Sequence, residues 1–218
     1  METLVIIGAG GFGKEAAWAV ARMNAIVPRY TLAGFCDDRP GPAGTHYGLP
    51  LLGPLEKAAA SLKGPVAFYC AIGANAVREK LVDRALAAGW FPCEAIVDPS
   101  VIVAPGATVG GGSYIGAGSI LSPDCRLGSH VIVNQHCSIG HDSVTADFAQ
   151  VCPGARVNGE CVLGRSAFVG SGAVLKQGVR LGVGAVLGAA SFAVKDIADG
   201  CTAIGNPARV IFQPPSHS

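Results

Sequence analysis

The chain has 218 residues, of which half are hydrophobic and 14% are charged, and its formal net charge is +1. This length allows one large domain or two modest ones, and the near balance of charge argues against the basic surface of a nucleic-acid-binding protein. No apolar run reaches the ~18 residues of a membrane span, and Glu2 stands where a signal peptide would have a basic residue. We therefore expect a globular protein in the cytoplasm.

The first ninety residues alternate between short apolar runs and amphipathic segments. Strands are predicted over residues 4–7, 30–36 and 66–73, helices over 14–21, 55–62 and 75–89, and a loop rich in glycine and proline over 39–54. Three strands that alternate with three helices are typical of a small open parallel sheet. We therefore predict an α/β, Rossmann-like domain over residues 1–92.

A glycine-rich turn follows the first predicted strand and opens the first predicted helix. Gly8, Gly10 and Gly13 match the pattern G-x-G-x-x-G, whose glycines let the backbone approach an anion at a helix N-terminus. Asp37 and Asp38 end the second strand, where an acid can bind a ribose or a base. Three strands are too few for a full dinucleotide site, so a single nucleotide fits better than NAD. The competing interpretation is a structural turn without a ligand.

The second part of the chain divides into seventeen consecutive hexads, from residue 97 to residue 198. Val, Ile or Leu holds the first position of fifteen hexads, and Thr145 and Ala193 are the exceptions. The fifth position is Ala, Ser, Cys or Val in every hexad except the last, which has Ile197. This period predicts a β-helix, because each hexad supplies one short strand and one corner of a triangular coil.

Three hexads form one coil of 18 residues, so the array gives between five and six coils, stacked at the strand spacing of ~4.8 Å. The aliphatic first position and the small fifth position are expected to point into the bore. Glycine, asparagine and aspartate concentrate at the second position, where we expect the corner to require permissive backbone angles. We assign this β-helix domain to residues 93–218, with a short C-terminal tail.

The eight cysteines are spread along the chain without a C-x-x-C pair, which argues against a zinc knuckle or a thioredoxin-like motif. Cys125, Cys137 and Cys161 stand at the small fifth position of their hexads, so they are predicted to fill the bore. Free, buried thiols are the state expected of cysteines in a cytosolic chain.

Of the five histidines, His46 lies in the predicted loop and His217 in the tail, and His141 stands at the third position of the hexad IGHDSV. Asp142 follows it, and Gly159 lies one coil further along at the same corner, about one strand spacing (~4.8 Å) away. Acyl transfer from a thioester needs a base and an N–H donor for the oxyanion. His141 is the candidate base, Asp142 the carboxylate that orients it, and Gly159 the N–H donor. The alternative is that His141 is a solvent-exposed corner residue without a catalytic role.

A zinc site is a competing interpretation of the histidines. His136 and His141 are five residues apart, a spacing that the hexapeptide-repeat carbonic anhydrases also use. Those enzymes take a further histidine two coils earlier, where this chain has Ser100, and His130 falls on a different face. Because zinc needs three or four converging ligands, we expect no metal.

Several segments together resemble a known family. The segments GAGGFGKE, FCDD and AIGANAVREK, the hexad array with GHD, and the closing IGNPARV recur in this order in bacterial nucleotide-sugar acetyltransferases of the hexapeptide-repeat class. These include the N-acetyltransferases that make bacillosamine and N-acetylperosamine precursors for bacterial glycans, and the related sialic acid O-acetyltransferases. The resemblance covers nearly the whole chain. It implies a left-handed β-helix and a homotrimer, with acetyl-CoA between neighbouring helices and a nucleotide sugar on the N-terminal module.

The resemblance also implies roles for individual positions. His141 matches the family's base, Asp142 its acidic partner, and Gly159 the backbone donor to the thioester carbonyl. The positions on nucleotide-sugar-binding segments are Gly10, Gly11, Asp37, Asp38, Gly73 and Asn75. Those on the coils and tail that meet acetyl-CoA are Gln150, Gly159, Ala173, Gly188, Lys195 and Arg209, of which the last two suit the CoA phosphates. Gln150 is a departure, because some members have a second histidine there and glutamine cannot titrate.

We therefore predict direct transfer of an acetyl group from acetyl-CoA to the 4-amino group of a UDP- or GDP-linked amino-deoxysugar, with His141 as general base. No covalent intermediate is needed, which agrees with the lack of a candidate nucleophile. O-acetylation of a sugar of the sialic acid type is the nearest alternative, since it needs the same base. A non-catalytic nucleotide-binding scaffold is the alternative from another class; His141, Asp142 and the C-terminal basic residues argue against it.

Overall fold

The computed structural model describes residues 1–38 and 45–215, and the chain divides into two compact units, Met1–Pro99 and Ser100–Ser218. The first unit ends past residue 92, where the sequence places the domain boundary, and that boundary stays a prediction. Residues 39–44 of the predicted loop and residue 217 of the tail lie outside the described residues. The longest helix in the described ranges has 16 residues, too few to cross a membrane.

The first unit is built on a sheet whose three central strands are parallel, as the sequence predicts. Strand β1 lies between β2 and β5 and pairs with both in parallel. The predicted helices are confirmed as α1, α2 and α3. The elements of this unit are β1 (Glu2–Ile7), α1 (Gly11–Ile26), β2 (Tyr30–Cys36), β3 (Thr45–His46), β4 (Leu49–Gly53), α2 (Leu55–Ser61), β5 (Ala67–Cys70), α3 (Asn75–Ala87), β6 (Phe91–Pro92) and β7 (Ile96–Val97).

The loop predicted over residues 39–54 is wrong in its described part, and so is the count of three strands. Strands β3 and β4 form an antiparallel hairpin, β4 adds to β2, and β6 adds to β5, which gives six strands within the described ranges. The hairpin turn places Tyr47 (φ 52°) and Gly48 (φ 73°) in the left-handed region, as a type I′ turn requires. The sequence hides this hairpin because tyrosine rarely adopts that conformation and Pro50 is unusual within a strand.

The second unit is a β-helix of two-residue strands that repeat every six residues, as predicted. Each strand pairs in parallel with the strand one coil away; Ile120, for example, pairs with Ser138. The strands are β8 (Ile102–Val103), β9 (Thr108–Val109), β10 (Tyr114–Ile115), β11 (Ile120–Leu121), β12 (Arg126–Leu127), β13 (Ile132–Val133), β14 (Ser138–Ile139), β15 (Val144–Thr145), β16 (Gln150–Val151), β17 (Arg156–Val157), β18 (Val162–Leu163), β19 (Phe168–Val169), β20 (Val174–Leu175), β21 (Arg180–Leu181), β22 (Val186–Leu187), β23 (Phe192–Ala193), β24 (Thr202–Gly205) and β25 (Ala208–Phe212).

The strands of this unit form three faces of a triangular coil. Face 1 contains β10, β13, β16, β19, β22, β24 and β25; face 2 contains β8, β11, β14, β17, β20 and β23; and face 3 contains β9, β12, β15, β18 and β21. Three corners therefore recur along the helix: one from face 1 to face 2, one from face 2 to face 3, and one from face 3 back to face 1. In the regular coils, a corner residue lies next to the residues 18 positions before and after it.

The bore is filled as the hexad pattern predicts. First-position residues are buried from Ile115 onward, and fifth-position residues from Ser113 onward. Cys125, Cys137 and Cys161 are almost completely buried, and all eight cysteines are free. Desolvation by burial raises the pKa of the Cys125 and Cys137 thiols to about 11. These thiols are therefore packing groups that remain protonated near neutral pH.

The prediction that the second hexad position needs permissive backbone angles is wrong. The left-handed conformation belongs to the fourth position, with φ between 53° and 78° from Gly106 to Ala190. Second-position glycines serve close packing instead, because a Cβ there would meet the backbone of the next coil. At Gly116, for example, that Cβ would lie 2.8 Å from the Gln135 nitrogen. Glycine is favoured at both positions, but for different physical reasons.

The seventeenth hexad is not a regular one, which corrects the predicted array. Leu181 pairs with Ile197 and Val186 with Thr202, sixteen residues apart instead of 18, so the last corner from face 2 to face 3 is two residues shorter. Ile197 therefore occupies the place of a first-position aliphatic residue and stacks next to Leu181. This explains why the last hexad alone has isoleucine at its fifth position. We call this segment, residues 194–196, the shortened corner.

Candidate active site

The carboxyl ends of β1, β2 and β5 meet at one edge of the first sheet, beside a cavity of about 280 Å³. We call it the β-edge cavity; its lining residues are Ile7, Gly8, Cys36, Asp37, Asp38, Leu55, Ile72 and Leu81. The structure thus brings together the two aspartates that the sequence predicts for a nucleotide. Gly10 and Gly11 lie at the start of α1, Gly73 lies between β5 and α3, and Asn75 is the first residue of α3, around the same edge.

The glycines of the turn after β1 divide into two groups. A Cβ on Gly8 would lie 2.7 Å from Ile72 Cδ1, and Gly8 has a φ of 105°; a Cβ on Gly13 would overlap the Gly8 carbonyl oxygen. A Cβ on Gly10 or Gly11 would meet no atom within 4 Å. The fold therefore requires Gly8 and Gly13, whereas the space beside Gly10 and Gly11 is open to a ligand.

This division predicts different consequences for two alanine substitutions in α1. Gly13→Ala should lower the free energy of unfolding by about 1–3 kcal/mol, because backbone atoms cannot move aside as a side chain can. Gly11→Ala should leave that free energy unchanged but weaken the binding of a nucleotide. Thermal unfolding with and without UDP or GDP measures both. A Gly11→Ala protein that unfolds as readily as Gly13→Ala would contradict the assignment.

Asp37 is held in place by the turn that it faces. Its Oδ2 accepts a hydrogen bond of 2.9 Å from the Ala9 N–H, which ties the end of β2 to the turn after β1. Asp38 is held from the other side: its Oδ2 accepts a bond of 3.0 Å from Nη1 of Arg84 on α3. Arg84 also bonds both carboxylate oxygens of Glu56 on α2, at 2.9 Å each. Both carboxylates of the cavity therefore have fixed partners.

Arg78 is a residue of this edge that the sequence analysis missed. Its side chain is fully buried under the segment between β5 and α3, and its Nη1 donates a hydrogen bond of 2.8 Å to the carbonyl of Ile72. Burial lowers the pKa of its guanidinium from the ordinary value. The signal was an arginine on the apolar side of a predicted amphipathic helix, where it fixes the backbone that leads to Gly73.

The corner between β14 and β15 brings together the three predicted catalytic groups. Asp142 takes the left-handed fourth position (φ 58°), which aspartate tolerates, and this turns its carboxylate back toward His141. His141 Nδ1 and Asp142 Oδ2 are 2.7 Å apart, and the two side chains are 50% and 60% exposed. The carboxylate can therefore fix the ring tautomer while the second ring nitrogen, Nε2, is left for chemistry.

Gly159 lies directly under the His141 ring. A Cβ on Gly159 would overlap Nε2 and lie 2.7 Å from Cε1 and 2.8 Å from Cδ2 of that ring. The Gly159 N–H has no acceptor among the described residues. A reacting carbonyl beside Nε2 would thus find a backbone donor close by, as an oxyanion requires. The roles of His141, Asp142 and Gly159 in catalysis stay predictions.

The three histidines of the β-helix lie at three different corners. His130 follows face 3, His136 follows face 1, and His141 follows face 2. His130 is buried and stacks on the Phe148 ring, with centroids 5.0 Å apart. Within residues 1–38 and 45–215, no three His, Cys, Asp or Glu side chains are grouped as a metal ion would need.

The predicted acetyl-CoA residues fall into two groups. Lys195, in the shortened corner, and Arg209, on β25, line one cavity of about 270 Å³. Successive turns of the corner from face 2 to face 3 carry His141, Gly159, Gln177 and then Lys195. At ~4.8 Å per coil, about 14 Å separate the first of these residues from the last. The two predicted phosphate-binding residues therefore lie together, about 14 Å from His141 along the axis of the β-helix.

Of the remaining four, Gly159 lies under the His141 ring, and the other three lie elsewhere on the coil. Gln150 is on face 1, nine-tenths buried, with Nε2 3.6 Å from Cys152 Sγ and with Oε1 unbonded within the described ranges. The Ala173 side chain points into the bore. Gly188 directly follows β22 of face 1, and a Cβ there would be 2.6 Å from Ile204 Cγ2. Within one chain these three residues do not converge on His141, and their contacts with acetyl-CoA stay predictions.

Comparison with known proteins supports the fold of both units. Residues 3–85 match the family model of the PglD N-terminal domain. The acetyltransferase domain of PglB from Neisseria gonorrhoeae, solved in complex with acetyl coenzyme A, is 32% identical, and the match covers 96% of this chain and 99% of that one, with a TM-score of 0.87. This chain belongs to the hexapeptide-repeat sugar N-acetyltransferases. Comparison with curated proteins gives no significant match.

Two further solved structures show the same fold. A histidine variant of perosamine N-acetyltransferase from Caulobacter crescentus, in complex with CoA and GDP-perosamine, is 28% identical over 98% of both chains, with a TM-score of 0.87. WeeI from Acinetobacter baumannii is 28% identical over 97% of this chain and 100% of that one, also with a TM-score of 0.87. The predicted fold class, a Rossmann-like domain followed by a left-handed β-helix, is confirmed, and so is the predicted enzyme class.

Proposed function

We propose that this acetyltransferase moves the acetyl group of acetyl-CoA to the 4-amino group of a nucleotide-linked amino-deoxysugar, at the corner that carries His141. The observation that carries the proposal is the 2.7 Å contact of His141 with Asp142, above the open Gly159 N–H. The complexes of two similar proteins support the ligands: one contains acetyl-CoA, and another contains CoA with GDP-perosamine.

The proposed chemistry is a single displacement at the thioester carbonyl. With its Nδ1–H donated to Asp142, His141 presents a basic Nε2, which accepts a proton from the attacking amine. The amine nitrogen bonds the carbonyl carbon, and the resulting oxyanion accepts a hydrogen bond from the Gly159 N–H. The oxyanion then collapses, the C–S bond breaks, and the CoA sulfur takes the proton from His141. No enzyme nucleophile is needed.

Acetyl-CoA would lie along the corner from face 2 to face 3. Lys195 and Arg209 can bind its phosphates, because both are exposed cations that line one cavity. The rise of about 14 Å from that cavity to His141 suits an extended pantetheine arm between phosphate and thioester. The second wall would come from a neighbouring subunit of the homotrimer that the sequence resemblance implies. Gln150 would then contact acetyl-CoA across that interface.

The nucleotide would bind at the β-edge cavity. Gly10 and Gly11 leave open space at the α1 N-terminus for a phosphate, and Asp37 and Asp38 offer acceptors to the ribose and base. The apolar side chains of the lining can cover the face of a base. A cytoplasmic location, where nucleotide sugars and acetyl-CoA are made, stays a prediction.

A thermal-shift panel followed by an acetylation assay tests this function. The panel contains acetyl-CoA, UDP-sugars, GDP-sugars, CMP-sialic acid and NAD; a ligand at a hundred times its Kd stabilises the native state by ~2.7 kcal/mol. We expect stabilisation by acetyl-CoA and by one class of UDP- or GDP-linked amino sugar, and consumption of the amine when both are mixed. CMP-sialic acid in place of an amino sugar would indicate O-acetylation. Stabilisation by NAD without acetyl-CoA would overturn the proposal.

A further inference from the structure

The β-edge cavity presents carboxylates to a ligand that is itself an anion. Asp37 and Asp38 line it, and Glu56 lies beside Asp38 at the start of α2. Burial and the negative charges of Asp38 and Glu56 together raise the pKa of the Cys36 thiol, also in the lining, to about 12. A nucleoside diphosphate would be repelled by this field unless the carboxylates were neutralised.

Arg84 is placed to offset part of this charge. One guanidinium bonds Asp38 at 3.0 Å and both oxygens of Glu56 at 2.9 Å, so it uses the planar fork that lysine lacks. The hydrogen bonds to Asp38 and Glu56 raise the pKa of Arg84, so it stays charged at every physiological pH. The Arg84 side chain itself is not part of the described cavity lining. Its effect on a ligand therefore passes through the groups that it holds, of which Asp38 lines the cavity.

The same guanidinium fixes the walls of the cavity. Leu55 and Glu56 are neighbours on α2, and Leu81 and Arg84 are one helical turn apart on α3. The bonds from Arg84 to Glu56 therefore join the two helices next to the leucines that line the cavity. Ion pairs as exposed as these contribute little to stability. Positioning and charge are the larger consequences of this arrangement.

We propose that Arg84 is a positioning residue of the nucleotide site: it holds the Asp38 carboxylate at the cavity edge and offsets part of the charge of Asp38 and Glu56, so that Asp38 can accept a hydrogen bond from the ribose or base of a nucleoside diphosphate. The identity of the ligand rests on the proposed function. The geometry of the bridge rests on the structure alone.

The test compares Arg84→Met, Arg84→Lys and a matched control. Arg29 is an equally exposed arginine of the same unit that forms an ion pair with Glu94, so Arg29→Met removes a similar pair away from the cavity. Calorimetry with UDP and GDP gives Kd for whichever nucleotide the wild type binds. We expect Kd to rise about 5- to 20-fold in Arg84→Met and less in Arg84→Lys, with no change in Arg29→Met. The melting temperatures of the three variants should match that of the wild type. A merely structural role of Arg84 would instead lower the melting temperature of its variants.

A second comparison tests whether Arg84 acts through Asp38. In an Asp38→Asn background, Arg84→Met should raise Kd by a smaller factor than in the wild type, because the carboxylate that it positions is gone and only its contact with Glu56 is left to lose. In acetyl transfer, Arg84→Met should raise KM for the nucleotide sugar and leave kcat and KM for acetyl-CoA unchanged.

Two outcomes separate this proposal from the function on which it rests. The first is that the wild type binds UDP or GDP and Arg84→Met binds it equally tightly, or that Arg84→Met costs as much affinity in the Asp38→Asn background as in the wild type. In either case the role of Arg84 is overturned and the proposed function stands. If the wild type binds neither nucleotide, the nucleotide-sugar function fails first and the Arg84 proposal with it.

Discussion

Replacing His141 by alanine should reduce kcat/KM for acetyl transfer by about 10²–10⁴-fold, the usual contribution of a general base. The 2.7 Å contact with Asp142 orients the ring, and alanine removes the Nε2 that would accept the amine proton. Binding of acetyl-CoA and of the nucleotide sugar should change little, because the loss falls on kcat. Steady-state rates and equilibrium binding of each substrate measure the two parts separately.

His136→Asn is the matched control for this variant. His136 is also an exposed corner histidine of the β-helix, but it lies at the corner from face 1 to face 2. It has a φ of 57°, which asparagine tolerates, so the substitution should preserve the coil and leave kcat/KM within about twofold of the wild type. Near-normal turnover by His141→Ala, or an equal loss in His136→Asn, would refute His141 as the base.

Gly159→Ala should lower kcat by about 10²-fold without unfolding the coil. The new methyl group would occupy the place of His141 Nε2 and lie within 2.8 Å of Cδ2, so the imidazole must swing away from the Gly159 N–H. Base and oxyanion donor would then no longer face the same carbonyl, which removes the alignment on which acyl transfer depends. Initial rates at saturating substrates, with circular dichroism for the fold, measure the effect.

The same substitution in a His141→Ala background provides the control. The three atoms nearest to the new Cβ all belong to the His141 ring, so removing that ring removes this clash and Gly159→Ala should then cost little stability. It should also cause less than about threefold further loss of rate, since the two changes disable one unit. Full activity of the single variant would show that the ring and the glycine do not work together.

The β-helix and its bore could be predicted from the sequence because they follow from a local rule. A period of six with an aliphatic first and a small fifth position allows one triangular coil, and each side chain's place follows from its number alone. The cysteines of the fifth position and the neighbourhood of His141 and Gly159 were predicted for the same reason. The three central strands of the first unit could be predicted equally well, since each is a short apolar run in the sequence.

Other features depended on contacts between distant residues. The second hexad position was misassigned because glycine can serve either a left-handed angle or a close approach, and the composition of a position does not distinguish them. The shortened corner was missed because one irregular residue, Ile197 at a fifth position, does not by itself show that the corner is two residues shorter. The hairpin of β3 and β4 has a turn, Tyr47–Gly48, whose conformation local preference does not favour.

By itself, the sequence determined the repeat, the order of the two folds and the candidate base, because backbone periodicity and adjacency along the chain set them. The tertiary structure alone decided that Lys195 and Arg209 share a cavity and that Arg84 holds Asp38. Those pairs are up to 46 residues apart, and side-chain contacts over such separations arise only once the chain has folded. The packing of elements, which no local pattern encodes, therefore sets the detail of the site.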